Sequence, residues 1–112
     1  MHQIRVKEIY YNKIKNKEKI YEVRLLDEKR KQIKIGDIIN IKKEPELKES
    51  LNAKVVNLVC FKTFEEMAIT LPAKQIGFDG FDKSYIVNEY YKFYSYDQER
   101  EFGVVAIKIE LV

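Results

Sequence analysis

The residues that could do chemistry in this sequence are concentrated in one stretch, Lys17–Arg24, which reads Lys-Glu-Lys-Ile-Tyr-Glu-Val-Arg. It places two cations and a carboxylate, Lys19, Glu22 and Arg24, close together in the chain. If the stretch enters a strand, Glu22 and Arg24 share one face and Tyr21 takes the other, because successive side chains alternate. Two interpretations are open: an exposed ion pair, which would add little stability, and a charged site at a helix-to-strand corner. The spacing alone favours the ion pair.

The elements that must position this stretch are a helix before it and a strand that contains its end. Ile4 and Val6 alternate with polar residues and predict a short first strand. Apolar residues recur at helical spacing from 7 to 15, which predicts a helix. Asn16 follows, and because asparagine tolerates the left-handed conformation it is expected to end this helix. The strand is then predicted over Ile20–Leu25.

The remaining chain predicts further strands and two more helices. The apolar run Ala53–Phe61 predicts a central strand that is partly buried on both faces, with Cys60 as a small buried residue. A capping box begun by Thr63 predicts a helix to about residue 71, and Asp82 caps a helix predicted over residues 83–94. Alternation in residues 104–112 predicts a half-buried strand, and the β-branched stretch 38–41 predicts another strand. Without regular βαβ alternation, this order favours an α+β domain with a curled, mostly antiparallel sheet.

Composition restricts the class of protein. The chain of 112 residues is expected to form one domain, 1–112, and its apolar content of 46% and charged content of 35% are typical of a globular protein. No apolar run approaches the ~20 residues of a membrane span, and no secretory signal is apparent. One cysteine and one histidine, Cys60 and His2, predict no disulfide and no structural metal. We therefore expect a cytoplasmic protein with no membrane partner and no cofactor.

Charge is distributed unevenly along the chain. Residues 1–48 hold 14 Lys and Arg against 8 Asp and Glu, whereas residues 49–112 hold 7 against 10. A basic half suits a phosphate-bearing partner such as RNA or a nucleotide, although a solvated lysine-rich surface would look the same. Five of the eight tyrosines lie between Tyr85 and Tyr96. They could stack on bases, but their helical spacing favours a place in the core.

With these residues in view, the chain resembles the ASCH domain family, small relatives of the PUA fold. The signature of that family is Gly-x-Lys-x-x-Glu-x-Arg at a helix-to-strand corner, and Lys19, Glu22 and Arg24 match its charged positions, whereas Lys17 stands where glycine is expected. Asn16 is expected to take over part of the role of that glycine. Three further stretches match in order: 35–41, 61–64 and 102–107. The resemblance implies a PUA-like, curled, mostly antiparallel β-barrel with about three flanking helices.

The resemblance also implies two functions. ASCH and PUA-like domains are associated with RNA binding in a cleft beside the barrel, so the first hypothesis is a module for RNA or a modified nucleoside. It would bind its ligand through Lys17, Lys19, Glu22 and Arg24, with aromatic residues of the third helix closing the cleft. The second is a hydrolase of the 4-acetylcytidine amidohydrolase or ribonuclease type. Glu22 would be the general base, Lys19 the oxyanion stabiliser and Asp79 a second acid. Deacetylase members carry threonine at the position of Glu22, so their mechanism does not transfer intact.

Overall fold

The computed structural model describes all residues, 1–112. Five strands and four α-helices follow one another in the order β1, α1, β2, β3, β4, α2, α3, α4, β5. The strands are β1 (His2–Val6), β2 (Tyr21–Leu25), β3 (Ile38–Lys43), β4 (Ser50–Phe61) and β5 (Val104–Leu111). The helices are α1 (Glu8–Lys15), α2 (Phe64–Thr70), α3 (Lys83–Tyr91) and α4 (Tyr96–Phe102), with short 3₁₀ turns at Arg30–Gln32 and Ala73–Ile76.

All five strands form one curled sheet in the order β1-β3-β4-β5-β2. The β1–β3 pair is parallel, and the other three pairs are antiparallel. The α+β class and the curled, mostly antiparallel sheet predicted from the sequence are confirmed, as are the first helix and the strands around it. The strands β1 and β2 are the two edges of this half-barrel, so the sheet has an open seam.

The sheet separates two hydrophobic cores. The core inside the curl contains Ile4, Val6, Tyr11, Ile14, Ile33, Ile39, Ile41, Ala53, Val55, Val105, Ile107 and Ile109. The outer core lies against α2 and α3 and contains Tyr21, Val23, Leu25, Phe61, Phe64, Met67, Ile76, Phe78, Ile86, Val104 and Ala106. Because β5 supplies side chains to both cores, its first half is buried on both faces, which corrects the half-buried strand predicted there. On β2, the alternation places Tyr21 in the outer core and leaves Glu22 on the inner face, opposite Ile107.

The central strand predicted over Ala53–Phe61 is confirmed, but the predictions for Cys60 and for the turn after β4 are wrong. Leu58 packs against the inner core and Val59 against the outer core, so part of β4 is covered on both faces. Cys60 points away from the core and is exposed. The Thr63 hydroxyl does accept from the amide of Glu66 at 3.0 Å. The Glu66 carboxylate, however, accepts from the Lys62 amide and not from Thr63, so the capping box is incomplete.

The helical region near the C-terminus also differs from the prediction. The helix capped by Asp82 ends at Tyr91, and a fourth helix, α4, follows after a short break. It has a complete capping box: Ser95 accepts from the Gln98 amide at 3.1 Å, and its own amide donates to the Gln98 side chain at 2.9 Å. That Ser-x-x-Gln spacing was present in the sequence and would have predicted the helix. None of the helices is long and apolar enough to span a membrane.

Candidate ligand-binding cleft

The turn between α1 and β2 places the side chain of Lys19 near Glu22. Lys17 has a φ of +68°, in the left-handed region, whereas Asn16 has a φ of −87°. The expectation that Asn16 would take over the glycine-like role is therefore wrong, because Lys17 adopts that conformation itself. This costs a non-glycine residue about 1 kcal/mol. The amides of Glu18 and Lys19 both donate to the carbonyl of Lys13 at 3.0 Å, which closes the turn.

Lys19, Glu22 and Arg24 meet in one ion triad. The Lys19 Nζ lies 3.1 Å from Oε1 of Glu22, and the Arg24 Nε donates to Oε2 of the same carboxylate at 2.7 Å. Lys19 is only 4% exposed and Glu22 only 7%. The interpretation that the spacing alone favoured, an exposed ion pair, is wrong, because the carboxylate is enclosed between its two cations.

The remaining contacts of the two cations differ. The ammonium of Lys19 also donates to the carbonyls of Tyr21 and Ile76, the latter at 3.3 Å. Its three donors therefore have three partners. The Nη2 of Arg24 donates to the carbonyl of Arg5 at 2.8 Å and so links β2 to β1 across the open seam. Of the five N–H donors of a guanidinium, three on Arg24 have no protein partner, and its side chain is 20% exposed.

The charges of the triad stabilise one another. Burial raises the pKa of the Glu22 carboxyl, but the charges of Lys19 and Arg24 and the hydrogen bonds that they donate outweigh burial and lower it overall. Burial lowers the pKa of the Lys19 ammonium, and the neighbouring carboxylate offsets this only in part. Burial lowers the pKa of the Arg24 guanidinium, but the charge of Glu22 outweighs burial and raises that pKa overall. Glu22 is therefore an ionised acceptor at neutral pH and a weak proton acceptor.

A segment distant in sequence, residues 73–78, holds the triad from the other side. The amide of Ile20 donates to the carbonyl of Gln75 at 2.9 Å, and the ammonium of Lys13 donates to the carbonyl of Gly77 at 2.9 Å. Gly77 has a φ of +94°, and a Cβ there would lie 3.0 Å from Cδ of Lys19 and 3.1 Å from Cδ1 of Tyr10. Glycine is needed at this position for both reasons.

The triad forms part of the wall of a cleft of about 330 Å³ at the seam between β1 and β2. This volume lies within the range of about 300–1,000 Å³ that is usual for small-molecule sites. Its charged lining consists of Arg5, Lys7, Lys19, Arg24, Lys92, Glu22, Glu44 and Glu89, which gives a positive excess. Its aromatic lining consists of Tyr10, Phe78, Tyr90, Phe93 and Tyr94.

The aromatic wall comes mainly from α3 and the residues after it. Burial, reinforced by the Glu22 charge, raises the pKa of the Tyr90 hydroxyl well above its ordinary value. Phe93 falls within the helix predicted over residues 83–94, but it lies beyond the end of α3 and is 63% exposed. The Lys7 Nζ lies 5.0 Å from the centre of the Phe93 ring, at the rim of the cleft.

The structure brings together three of the five site residues that were predicted from the sequence. Lys19, Glu22 and Arg24 line the cleft. Lys17 lines a separate shallow depression with Lys74 and Gln75. Asp79 is exposed and is not part of the cleft lining.

Several residues of the cleft were missed by the sequence analysis. Arg5 alternates with the buried Ile4 and Val6 of β1, and that alternation could have marked it as solvent-facing. Tyr10 was not singled out, because its helical spacing fits a buried face equally well. Tyr90 is one of the aromatic residues of the third helix that were expected to close the cleft, and it lines the cleft. No group of three or more His, Cys, Asp and Glu side chains is placed to hold a metal ion.

The sequence and the fold were compared with known families and solved structures. The family model described as the ASCH domain matches residues 4–112. The chain belongs to the ASCH domain family. A search of curated proteins gives no match.

Two solved structures are similar over almost the whole ASCH chain. The crystal structure of the protein PH0355 is 34% identical, with a TM-score of 0.85, and the match covers 98% of this chain and 97% of that one. The solution structure of protein PF0455 from Pyrococcus furiosus is 31% identical, with a TM-score of 0.77, and covers 99% and 96%. This ASCH domain therefore shares its complete architecture with both.

Proposed function

We propose that this ASCH domain binds RNA or a modified nucleoside in the cleft at the β1–β2 seam. The observation that carries the proposal is the partly open guanidinium of Arg24, which is fixed by Glu22 and by the carbonyl of Arg5 and has three donors left over. A planar cation held in this way is suited to phosphate or to an acceptor edge of a base. The side chain of Arg5, which is exposed and has no ion-pair partner, lines the same cleft.

Aromatic residues supply the second requirement of a nucleoside site. Tyr90 and Tyr94 line the cleft together with Arg24, and Phe93 stands at its rim. Proteins recognise unpaired bases by stacking them on such rings and by hydrogen bonding to their edges. Two cations with free donors and several aromatic rings in one cleft therefore support a ligand that carries both a phosphate and a base.

The same contacts favour binding over hydrolysis. A general base needs a pKa near the working pH and a lone pair directed at its proton, whereas the pKa of Glu22 is lowered and both its oxygens accept from cations. An oxyanion stabiliser needs a donor that is still available, whereas all three donors of Lys19 have partners. We therefore propose that Glu22 holds the guanidinium of Arg24 in place and that Lys19 balances the charge of Glu22.

Titration calorimetry with short single-stranded RNA at low salt would test the proposal. Arg5→Gln removes one free cation of the cleft and is expected to weaken binding roughly fivefold, about the effect of one phosphate contact. Lys29→Gln makes the same charge change at an exposed position outside the cleft and is the matched control. Absence of binding to RNA and to nucleotides at low salt, or equal losses in the two variants, would contradict the proposal.

A further inference from the structure

The lining of the cleft contains one carboxylate with no partner. Glu22 is enclosed between Lys19 and Arg24, and Glu89 pairs with Lys92 and accepts from the hydroxyl of Tyr85 at 3.1 Å. Glu44 also lines the cleft, but its carboxylate forms neither an ion pair nor a hydrogen bond. An unpaired charge in a mostly aromatic and cationic cleft has a desolvation cost that a ligand with N–H donors would relieve.

The position of Glu44 is fixed although its carboxylate is not engaged. It directly follows β3, which is paired in parallel with β1. Its amide donates to the carbonyl of Val6 at 2.8 Å, which holds the residue at the seam beside another lining residue of the cleft. The residue is half-buried, so its carboxylate is neither part of the core nor fully in solvent.

The lining of the cleft therefore offers two kinds of hydrogen-bonding group. Arg5 and Arg24 carry N–H donors without protein partners, which suit an anion. Glu44 offers only acceptors, which suit an amine. Glu22 also carries a carboxylate in this cleft, but its oxygens already accept from Arg24 and Lys19. Glu44 is therefore the carboxylate of the cleft that is free to accept a hydrogen bond from an amine of the ligand.

We propose that Glu44 selects nucleotides whose base carries an exocyclic amine by accepting a hydrogen bond from that amine while the arginines hold the phosphate. This inference rests on the proposed function and narrows its ligand class. A carboxylate accepts well from the N4 amine of cytosine, whereas uracil presents a carbonyl oxygen at the same place and is repelled. The cleft is expected to favour amine-bearing bases over uracil.

Cytidine and uridine 5′-monophosphates are a matched pair of probes, because their bases differ at position 4 and in the protonation of the adjacent ring nitrogen. For the wild-type protein, calorimetry is expected to give a preference for the cytidine nucleotide of roughly tenfold, the size of one good polar base contact. In Glu44→Gln the side-chain amide can both accept and donate, so the preference is expected to fall to about twofold or less. Glu46→Gln, an exposed neighbour in the same loop, is the control and should keep the wild-type ratio.

The outcomes separate this inference from the proposed function. If the wild-type protein binds both nucleotides equally, or Glu44→Gln keeps their ratio, the inference is overturned. The proposed function stands in that case if Arg5→Gln weakens both nucleotides. If Glu44→Gln strengthens both nucleotides equally, Glu44 only repels phosphate and the inference is again overturned. If neither nucleotide nor RNA binds, the proposed function and the inference both fail.

Discussion

At the scale of single residues, the central feature is a carboxylate buried between two cations. The sequence identified Lys19, Glu22 and Arg24 and predicted that Glu22 and Arg24 share a face, because strand alternation depends only on local geometry. It could not predict their burial. The contacts that enclose them come from residue 5 and residue 76, which are distant in sequence. An isolated strand pattern contains no information on such contacts.

Glu22→Gln is expected to destabilise the fold by about 3 kcal/mol, because it leaves the buried ammonium of Lys19 without its counter-charge. Chemical denaturation at neutral pH would measure this loss in the free energy of unfolding. Glu28→Gln, which removes an exposed partner of Lys31, should leave that free energy unchanged within error. A loss at Glu22 no larger than at Glu28 would show that the triad adds nothing to stability.

The stability lost in Glu22→Gln is expected to depend on pH. The pKa of Glu22 in the folded protein is lowered from its ordinary value of 4.5, so the folded state binds fewer protons than the unfolded chain between the two values. The stability that the charge of Glu22 adds is therefore complete above about pH 4.5 and is lost as the pH falls through the lowered value. The difference in unfolding free energy between wild type and Glu22→Gln should narrow in acid. A difference that is constant with pH would contradict this assignment.

At the scale of elements, the cleft depends on how the segment 73–78 packs against the start of β2. The need for glycine at position 77 was not predictable from the sequence, since the close approach of Lys19 and Tyr10 is a tertiary contact. Similarly, no helix was predicted after residue 94, although the capping box that Ser95 begins was visible in the sequence. Most helices and strands could be predicted from local sequence patterns, whereas the contacts between them could not.

Gly77→Ala is expected to weaken both the fold and ligand binding, because the new methyl group would press on Lys19 and Tyr10. Gly36→Ala is the matched control: its φ of +97° is equally unfavourable for alanine, but nothing lies within 4 Å of the added Cβ. Both variants should lose about 1 kcal/mol of stability from the left-handed backbone. Only Gly77→Ala should lose affinity in calorimetry with RNA. If both variants bind like the wild type, the segment 73–78 does not position the cleft.

At the scale of the whole molecule, the open seam of the half-barrel determines where a ligand can bind. The sheet order leaves β1 and β2 as edges, and the Arg24–Arg5 contact closes only part of the gap. The fold class was predictable from the sequence because helix and strand periods are local and the ASCH motifs span most of the chain. The size of the gap was not predictable, since it depends on sheet curvature and on where α3 packs.

The basic residues of the first half of the chain supply most of the cations that line the cleft. Four of the five cations that line the cleft, Arg5, Lys7, Lys19 and Arg24, come from the basic residues 1–48, and only Lys92 comes from the remainder. A solvated lysine surface, the alternative left open by the sequence, explains the exposed lysines elsewhere but not this convergence. The difference is measurable as a salt dependence that single substitutions alter.

RNA affinity is expected to fall as salt rises, with a slope of roughly −1.4 in log K against log salt if Arg5 and Arg24 each neutralise one phosphate, since a contact on a single strand adds about −0.7. Arg5→Gln should bring the slope to about −0.7, because one counterion fewer is released. Lys29→Gln alters the net charge equally but lies outside the cleft, so it should keep the wild-type slope. Fluorescence anisotropy across a salt series would measure all three. Equal slopes for wild type and Arg5→Gln would mean that the side chain of Arg5 does not contact phosphate, and a flat wild-type response would remove phosphate from the recognition altogether.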